Sequence, residues 1–440
     1  MATSARDRSA TSKASRLAAI VAGIAVVVLL AVGASAFGAL ADGHRETNGP
    51  RGGNGPHEGF SHEGGSHEGG PGEGSPRGGF PHEGGSHEGS PHEGFPGRGA
   101  FADQVVFDGS QLQHTTPGGS EPLTKPDDIT FLDGHVFVAF QNGVGPQGEA
   151  SSTGNLDSTV VELDPAGHPV SQWDIVGKCD GLTADPATGQ VIATVNEDAN
   201  SSLYTIEPEV GVAHYTYSEP LPSDGGTDAI SIYRGMILIS ASAPGTTGLP
   251  APQPTYPAVY QAQLDASTHV ASIQPLFGDE STATQANAGA GATVTLGLTD
   301  PDSNEDVPFY APRFAGDFML TSQGDQEQIF VSEPGGPHQS LSVLSLSSSV
   351  DDTAWPSVPW GALYVTDNDG DTVNRITGPF WPGSVFVADT PCDENSAPST
   401  CPGPGYPPNF LGQLNPWTGT ITPVSLRGPA VEPQGMLFLP

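Results

Sequence analysis

The chain has 440 residues, enough for a large all-β domain to bury a core, and a formal net charge of −36. Eight of its 14 Lys and Arg residues precede residue 100, so residues 101–440 hold six basic groups against 40 acids. Such a surface repels phosphate backbones, which excludes nucleic acid as a partner; it fits a soluble extracytoplasmic protein, or one that gathers cations or basic partners.

Residues 1–16 contain Arg6, Arg8, Lys13 and Arg16, and an uncharged stretch runs from Leu17 to Ala41. Its length suits a membrane-spanning helix, and basic residues before it predict that the rest of the chain lies outside the cytoplasm. Ala34-Ser35-Ala36 and Ala39-Leu40-Ala41 offer small-x-small cleavage sites, so residues 1–41 read as a signal-anchor or as a cleaved signal peptide. The protein is expected on the cell membrane with its C-terminal domain outside, or secreted.

Residues 42–100 are low in complexity. From His57 the chain runs in pentads, HEGFS, HEGGS, HEGGP, GEGSP, RGGFP, HEGGS, HEGSP and HEGFP. Gly and Pro deny this segment regular structure, and it reads as a disordered spacer with a reach of roughly 40–45 Å. His57, His62, His67, His82, His87 and His92 also form a loose imidazole tract suited to Zn²⁺, Ni²⁺ or Cu²⁺.

From residue 101 the pattern changes to short β-rich runs separated by turn residues. Ile129–Phe140 (split by Asp133-Gly134), Val191–Val195, Leu203–Ile206, Met236–Ser240, Ile329–Ser332, Ala362–Thr366 and Ser384–Ala388 read as strands, and no long helical period appears. A weak repeat places Asp127-Asp128-Ile129-Thr130, Asp180-Gly181-Leu182-Thr183, Asp228-Ala229-Ile230-Ser231 and Asp351-Asp352-Thr353-Ala354 in register. Leu296-Gly297-Leu298-Thr299 and Gln434-Gly435-Met436-Leu437 join them, at intervals of 53, 48, 68, 55 and 83 residues. Six starts predict an all-β, six-bladed β-propeller over 101–440, with residues 101–116 completing the last blade. The 83-residue interval leaves a seventh blade open.

The aligned acids Asp127, Asp180, Asp228 and Asp351 should approach one end of the central channel. Two bare carboxylates 4 Å apart repel by about 4 kcal/mol at an effective dielectric of 20, so such a ring needs a cation, shared protons or hydrogen-bond donors. Oxygen ligands would suit Ca²⁺, Mg²⁺ or Mn²⁺. Equally, an Asp at a strand entrance accepts backbone N–H bonds and locks neighbouring blades.

The repeat resembles the six-bladed regucalcin/gluconolactonase-like and NHL-type propellers. Its best local match is Asp180-Gly181-Leu182-Thr183-Ala184-Asp185, similar to that family's D-G-[LM]-x-x-D. The resemblance implies a lactonase-like hydrolase in which one divalent cation (Ca²⁺, Mg²⁺, Mn²⁺ or Zn²⁺) activates water or a carbonyl, with Asp127 and Asp180 in the acidic roles and Asp180 the catalytic candidate. The two asparagines of that family's ligand set are absent from the aligned starts, where Asp228, Leu296 and Asp351 stand.

Other features read as structural. Asp367-Asn368-Asp369-Gly370-Asp371 resembles a Ca²⁺ loop, but Thr372 and Gly378 stand where such a loop needs Gly and Glu, so it reads as a hairpin turn. Cys392 and Cys401 are spaced for a disulfide, whereas Cys179 opens an inner strand as a buried free thiol. His114, His135, His168, His214, His269 and His338 are scattered and read as solvent-facing. Trp355-Pro356, Trp360 and Phe380-Trp381-Pro382 read as loop and core packing, or as a binding face. The leading functional reading is a monomeric, non-enzymatic binding module for an envelope protein or small molecule. The lactonase-like hydrolase and metal capture by the His-Glu-Gly tract are the alternatives.

Overall fold

The computed structural model describes residues 100–222, 225–242, 256–391, 409–428 and 431–440. The Leu17–Ala41 segment, the pentad histidines and both Cys392 and Cys401 lie outside them. Among the described residues no helix is long and apolar enough to cross a membrane.

Six four-stranded antiparallel blades form a ring. Blade 1 runs through Pro126–Leu132, His135–Phe140, Asp157–Leu163 and Pro169–Val176. Blade 2 runs through Cys179–Asp185, Gln190–Val195, Ser202–Glu207 and Gly211–Tyr217. Blade 3 comprises Ile230–Tyr233, Met236–Ser240, Pro257–Asp265 and Val270–Gly278. Blade 4 comprises Pro301–Asp306, Phe318–Ser322, Glu327–Ser332 and Ser340–Ser345. Each inner strand lies against the inner strands of the blades on either side, and the sixth returns to the first.

Blades 5 and 6 are interleaved. The chain lays down Val350–Ala354 as the inner strand of blade 5, then builds Ala362–Asp367 and Thr372–Thr377 as the middle strands of blade 6. It returns for the remaining strands of blade 5, Val385–Asp389, Phe410–Leu414 and Ile421–Pro423. It ends on Pro433–Leu439, the inner strand of blade 6, while Phe101–Asp108 supplies the outer strand of that blade. The long interval before residue 434 therefore holds parts of two blades, and the ring has six. Residues 113–116, expected in the last blade, instead pair with Gly119–Pro122 in a separate hairpin.

Local chemistry accounts for the strands. Inner and middle strands are covered on both faces by neighbouring blades, so His135–Phe140 is buried from Val136 to Phe140. Asp133 and Gly134 take φ of 49° and 93° in the two-residue turn before it, the left-handed pair that matches hairpin twist. Six apolar clusters fill the six interfaces between blades. Phe137, Val160 and Ile175 of blade 1 meet Leu182, Val191 and Ile206 of blade 2, and Phe107, Tyr364 and Val373 of blade 6 meet Val136, Phe140 and Leu163 of blade 1. The other four clusters join blades 2 to 3, 3 to 4, 4 to 5 and 5 to 6.

Candidate functional site

The second residue of five inner strands is Asp127, Asp180, Asp302, Asp351 or Gln434, and Asp228 stands just before the inner strand of blade 3. The structure thus brings the four expected aspartates to the start of the inner strands. It adds Asp302, which alignment on Leu296 misses because the equivalent position in blade 4 lies six residues later. The Pro-Asp step shared with Pro126-Asp127 was the available signal.

The third position works between blades. Asp128 Oδ1 accepts the Ile129 N–H at 2.6 Å, and its Oδ2 accepts the Leu182 N–H of blade 2, also at 2.6 Å. Asp352 repeats this, accepting the Thr353 N–H and the Met436 N–H of blade 6, both at 2.6 Å. Blade-locking by aspartate is therefore real, but it falls on the second acid of each Asp-Asp pair. In blades 2 and 6 the third position is glycine because the next blade comes too close for a side chain. A Cβ on Gly181 would lie 2.6 Å from the Asp228 carbonyl oxygen, and one on Gly435 would lie 2.4 Å from that of Asp127. Hydroxyls complete the joints, with Thr194 donating to the Asp228 carbonyl, Thr366 to that of Asp127 and Ser303 to that of Asp351. Gly181 and Leu182 of the Asp-Gly-Leu match thus have a structural explanation.

Among the described residues, Lys178 is the cation held at this ring. Lys178 Nζ lies 3.1 Å from Asp180 Oδ1 and also contacts Glu197, while Gln141 Nε2 donates to Asp180 Oδ1 at 3.0 Å. Burial alone would weaken the Lys178 ammonium, but the charges of Asp180, Glu197 and Asp127 outweigh it and hold the group protonated. Asp180 Oδ2 is buried and has no partner among the described residues.

The charge of Lys178 also bears on Asp127, Asp228 and Asp351 but does not outweigh their burial. Burial first, and the charge of Asp351 second, push Asp127 up. Burial, then Glu197 and Asp180, do the same to Asp228, and burial, then Asp351 and Asp228, raise Asp302. Burial and the charge of Asp352 raise Asp128 to about 8, while burial raises Asp352 to about 7 against its backbone donors. Asp127, Asp302 and Asp351 keep some surface open to the channel although protein surrounds them. Protons and Lys178 are thus the means by which this ring limits its own repulsion. Among the described residues, no three or more His, Cys, Asp or Glu side chains are grouped as a metal ion would need.

The remaining candidates separate. Asp367 Oδ1 accepts the Gly370 N–H at 3.0 Å, as in a hairpin turn, and Asp371 Oδ1 accepts the Lys125 N–H at 2.8 Å, tying that turn to the start of blade 1. Cys179 is free and fully buried, and burial raises its thiol. His114, expected at the surface, is buried on the Gln113–Thr116 strand with Glu121 Oε1 3.4 Å away, because the hairpin it belongs to folds back on blade 1.

The aromatic stretches divide between core and surface. Trp355 and Phe380 are core residues, whereas Phe309, Trp360, Trp381 and Trp417 are 88%, 69%, 70% and 59% exposed. They sit on four neighbouring loops where blades 4 and 5 meet. The Gly383 N–H donates to the Pro356 carbonyl at 3.1 Å and the Tyr310 hydroxyl to the Trp355 carbonyl at 2.9 Å. Arg313 donates to the Pro416 carbonyl at 2.8 Å and the Ala286 carbonyl at 2.7 Å, and its guanidinium lies 4.5 Å from the Phe314 ring centroid and 5.0 Å from that of Trp417. Prolines 308, 312, 356, 359, 379, 382 and 416 stiffen these loops.

No protein-family model and no curated protein sequence matches this chain. Solved structures resemble it at low identity. The periplasmic gluconolactonase of Pseudomonas aeruginosa is 12% identical, with a TM-score of 0.36 over 77% of this chain and 99% of its own. A functionally unknown protein from Desulfotomaculum acetoxidans is 13% identical, with a TM-score of 0.34 over 72% of this chain and 76% of its own. The Cps50 β-propeller domain from Myceliophteria thermophila is 12% identical, with a TM-score of 0.31 over 70% of this chain and 85% of its own.

Proposed function

We propose that the protein is an exported propeller that works as a binding module, held by or released from the Leu17–Ala41 segment, with residues 42–100 as a spacer. The observation that carries this reading is the aromatic surface of Phe309, Trp360, Trp381 and Trp417, four large apolar side chains exposed on loops that are tied to one another. Large apolar side chains left exposed on linked loops of a strongly charged protein point to an interaction site. Asp128 and Asp352 accept backbone N–H groups across the blade joints and Asp180 pairs with Lys178, which fits a structural role for these acids.

A second reading, the divalent-ion-dependent lactonase-like hydrolase, draws support from the unpartnered Asp180 Oδ2 among mutually repelling carboxylates. Turnover separates the two. The full chain and its Asp180→Asn variant are assayed on a panel of γ- and δ-lactones with Ca²⁺, Mn²⁺ or Zn²⁺. The binding reading expects no hydrolysis above the variant, and turnover abolished by the substitution would establish the hydrolase instead.

A further inference from the structure

The aromatic surface also specifies a partner, on the premise that it is the binding face. Its four loops, 307–316, 355–361, 378–384 and 415–420, contain no acid and one cation, Arg313. That guanidinium donates to the Pro416 and Ala286 carbonyls, which fix its place in the surface. It stacks between the Phe314 and Trp417 rings, and Arg234 likewise lies 4.9 Å from the centroid of Tyr233 while donating to the Gly316 carbonyl at 2.8 Å. Two of the six basic residues of the domain are thus seated on aromatic rings within or beside this surface.

Among the described residues no cation lies over the rings of Trp360, Trp381 and Phe309, and all three side chains are exposed, Phe309 meeting only the Tyr310 ring edge-on. Asp306 and Asp317 bracket the first loop, and 40 acids against six basic residues give the domain a field that attracts positive charge. Aromatic faces carry the negative side of their quadrupole and hold guanidinium or ammonium groups within about 6 Å of the ring centre.

We propose that Phe309, Trp360 and Trp381 dock a basic segment of a partner protein, its Arg and Lys side chains stacking on these rings as Arg313 does on Trp417. The acidic field gathers the segment, and the rings position it. Proline-stiffened loops keep the ordering cost of the contact low.

The test uses the full chain and three soluble probes: a blocked octapeptide of alternating Arg and Gly, its Glu-Gly counterpart, and neutral maltohexaose. Binding is followed by tryptophan fluorescence and calorimetry in wild type, in Trp360→Ala/Trp381→Ala and in Trp381→Leu, which keeps apolar area without a π face. The Arg-Gly peptide should bind and weaken as salt rises. Its affinity should drop about tenfold in the double variant and severalfold in Trp381→Leu, with the Glu-Gly peptide silent. Equal affinity in wild type and the double variant would reduce the contact to bulk charge and overturn the proposal. Tryptophan-dependent binding of maltohexaose in place of the peptide would also overturn it, while leaving this surface as the binding face. No response to any probe would remove both.

Discussion

A ring of acids that limits its repulsion by holding protons makes stability fall as pH rises. Asp128 and Asp352 have folded values of about 8 and about 7, above the ~3.9 of an unfolded aspartate. Between these limits the folded chain keeps protons that the unfolded chain has released. The stabilisation is therefore complete below about pH 4 and is lost as pH climbs through 7 and 8. From pH 5 to pH 7 each acid contributes about 1.4 kcal/mol per unit, so the two together cost at most about 5 kcal/mol, the ceiling applying because protonating one relieves the other. For a domain of roughly 340 residues, with an unfolding entropy of about 2.1 cal/mol/K per residue, that lowers Tm by up to about 7 °C. Scanning calorimetry of the full chain in EDTA at pH 5, 6 and 7 reads the slope directly. Asp351→Asn removes a charge that bears on both Asp127 and Asp302 and should flatten the slope and raise Tm at pH 7. A Tm that stays level or rises from pH 5 to pH 7 would refute the reasoning.

Further outcomes follow from single contacts. Lys178→Met leaves Asp180 and Glu197 without their cation and should cost about 3–5 kcal/mol in urea at pH 7, with a smaller loss at pH 5. Gly435→Ala places a Cβ against the Asp127 carbonyl and should cost about 2 kcal/mol or more by forcing blades 6 and 1 apart; unchanged stability would contradict the joint described there. Thr366→Val, which removes a donor from that carbonyl, should destabilise by about 1–2 kcal/mol. Thr321→Val at the corresponding place in blade 4 should be neutral or stabilising, because the Thr321 hydroxyl is fully buried and has no partner among the described residues.

Much of the fold was legible because each blade repeats a local device. The Asp start, the Asp133-Gly134 turn and the alternation of short strands are readable without tertiary knowledge, and the strands expected at 129–140, 191–195, 203–206, 236–240, 329–332, 362–366 and 384–388 are present. Blade 4 escaped because Leu296-Gly297-Leu298-Thr299 imitates the repeat six residues too early, while the true start, Asp302, lacks the following Leu or Ile. The interleaving of blades 5 and 6 has no local signature, since Ala362–Asp367 looks like a second strand whichever inner strand it joins. The role of Asp128 and Asp352 depends on which N–H the neighbouring blade presents, and that is decided across 54 and 84 residues of chain. Trp355 and Trp360 share one Pro-rich loop, yet one is buried against blade 4 and the other faces solvent. Composition cannot separate them, because exposure there is set by the packing of the neighbouring loops.

The claim that the channel acids are satisfied by protons, backbone donors and Lys178, leaving binding to the aromatic surface, is tested most directly by calorimetric titration of the chelator-treated full chain. Ca²⁺, Mn²⁺ and Zn²⁺ are titrated against wild type and Asp180→Asn, with weak binding by the histidine tract common to both. The account predicts isotherms that do not differ between the two proteins. A tight one-to-one site present in wild type and absent from Asp180→Asn would contradict it and place a metal centre in the channel.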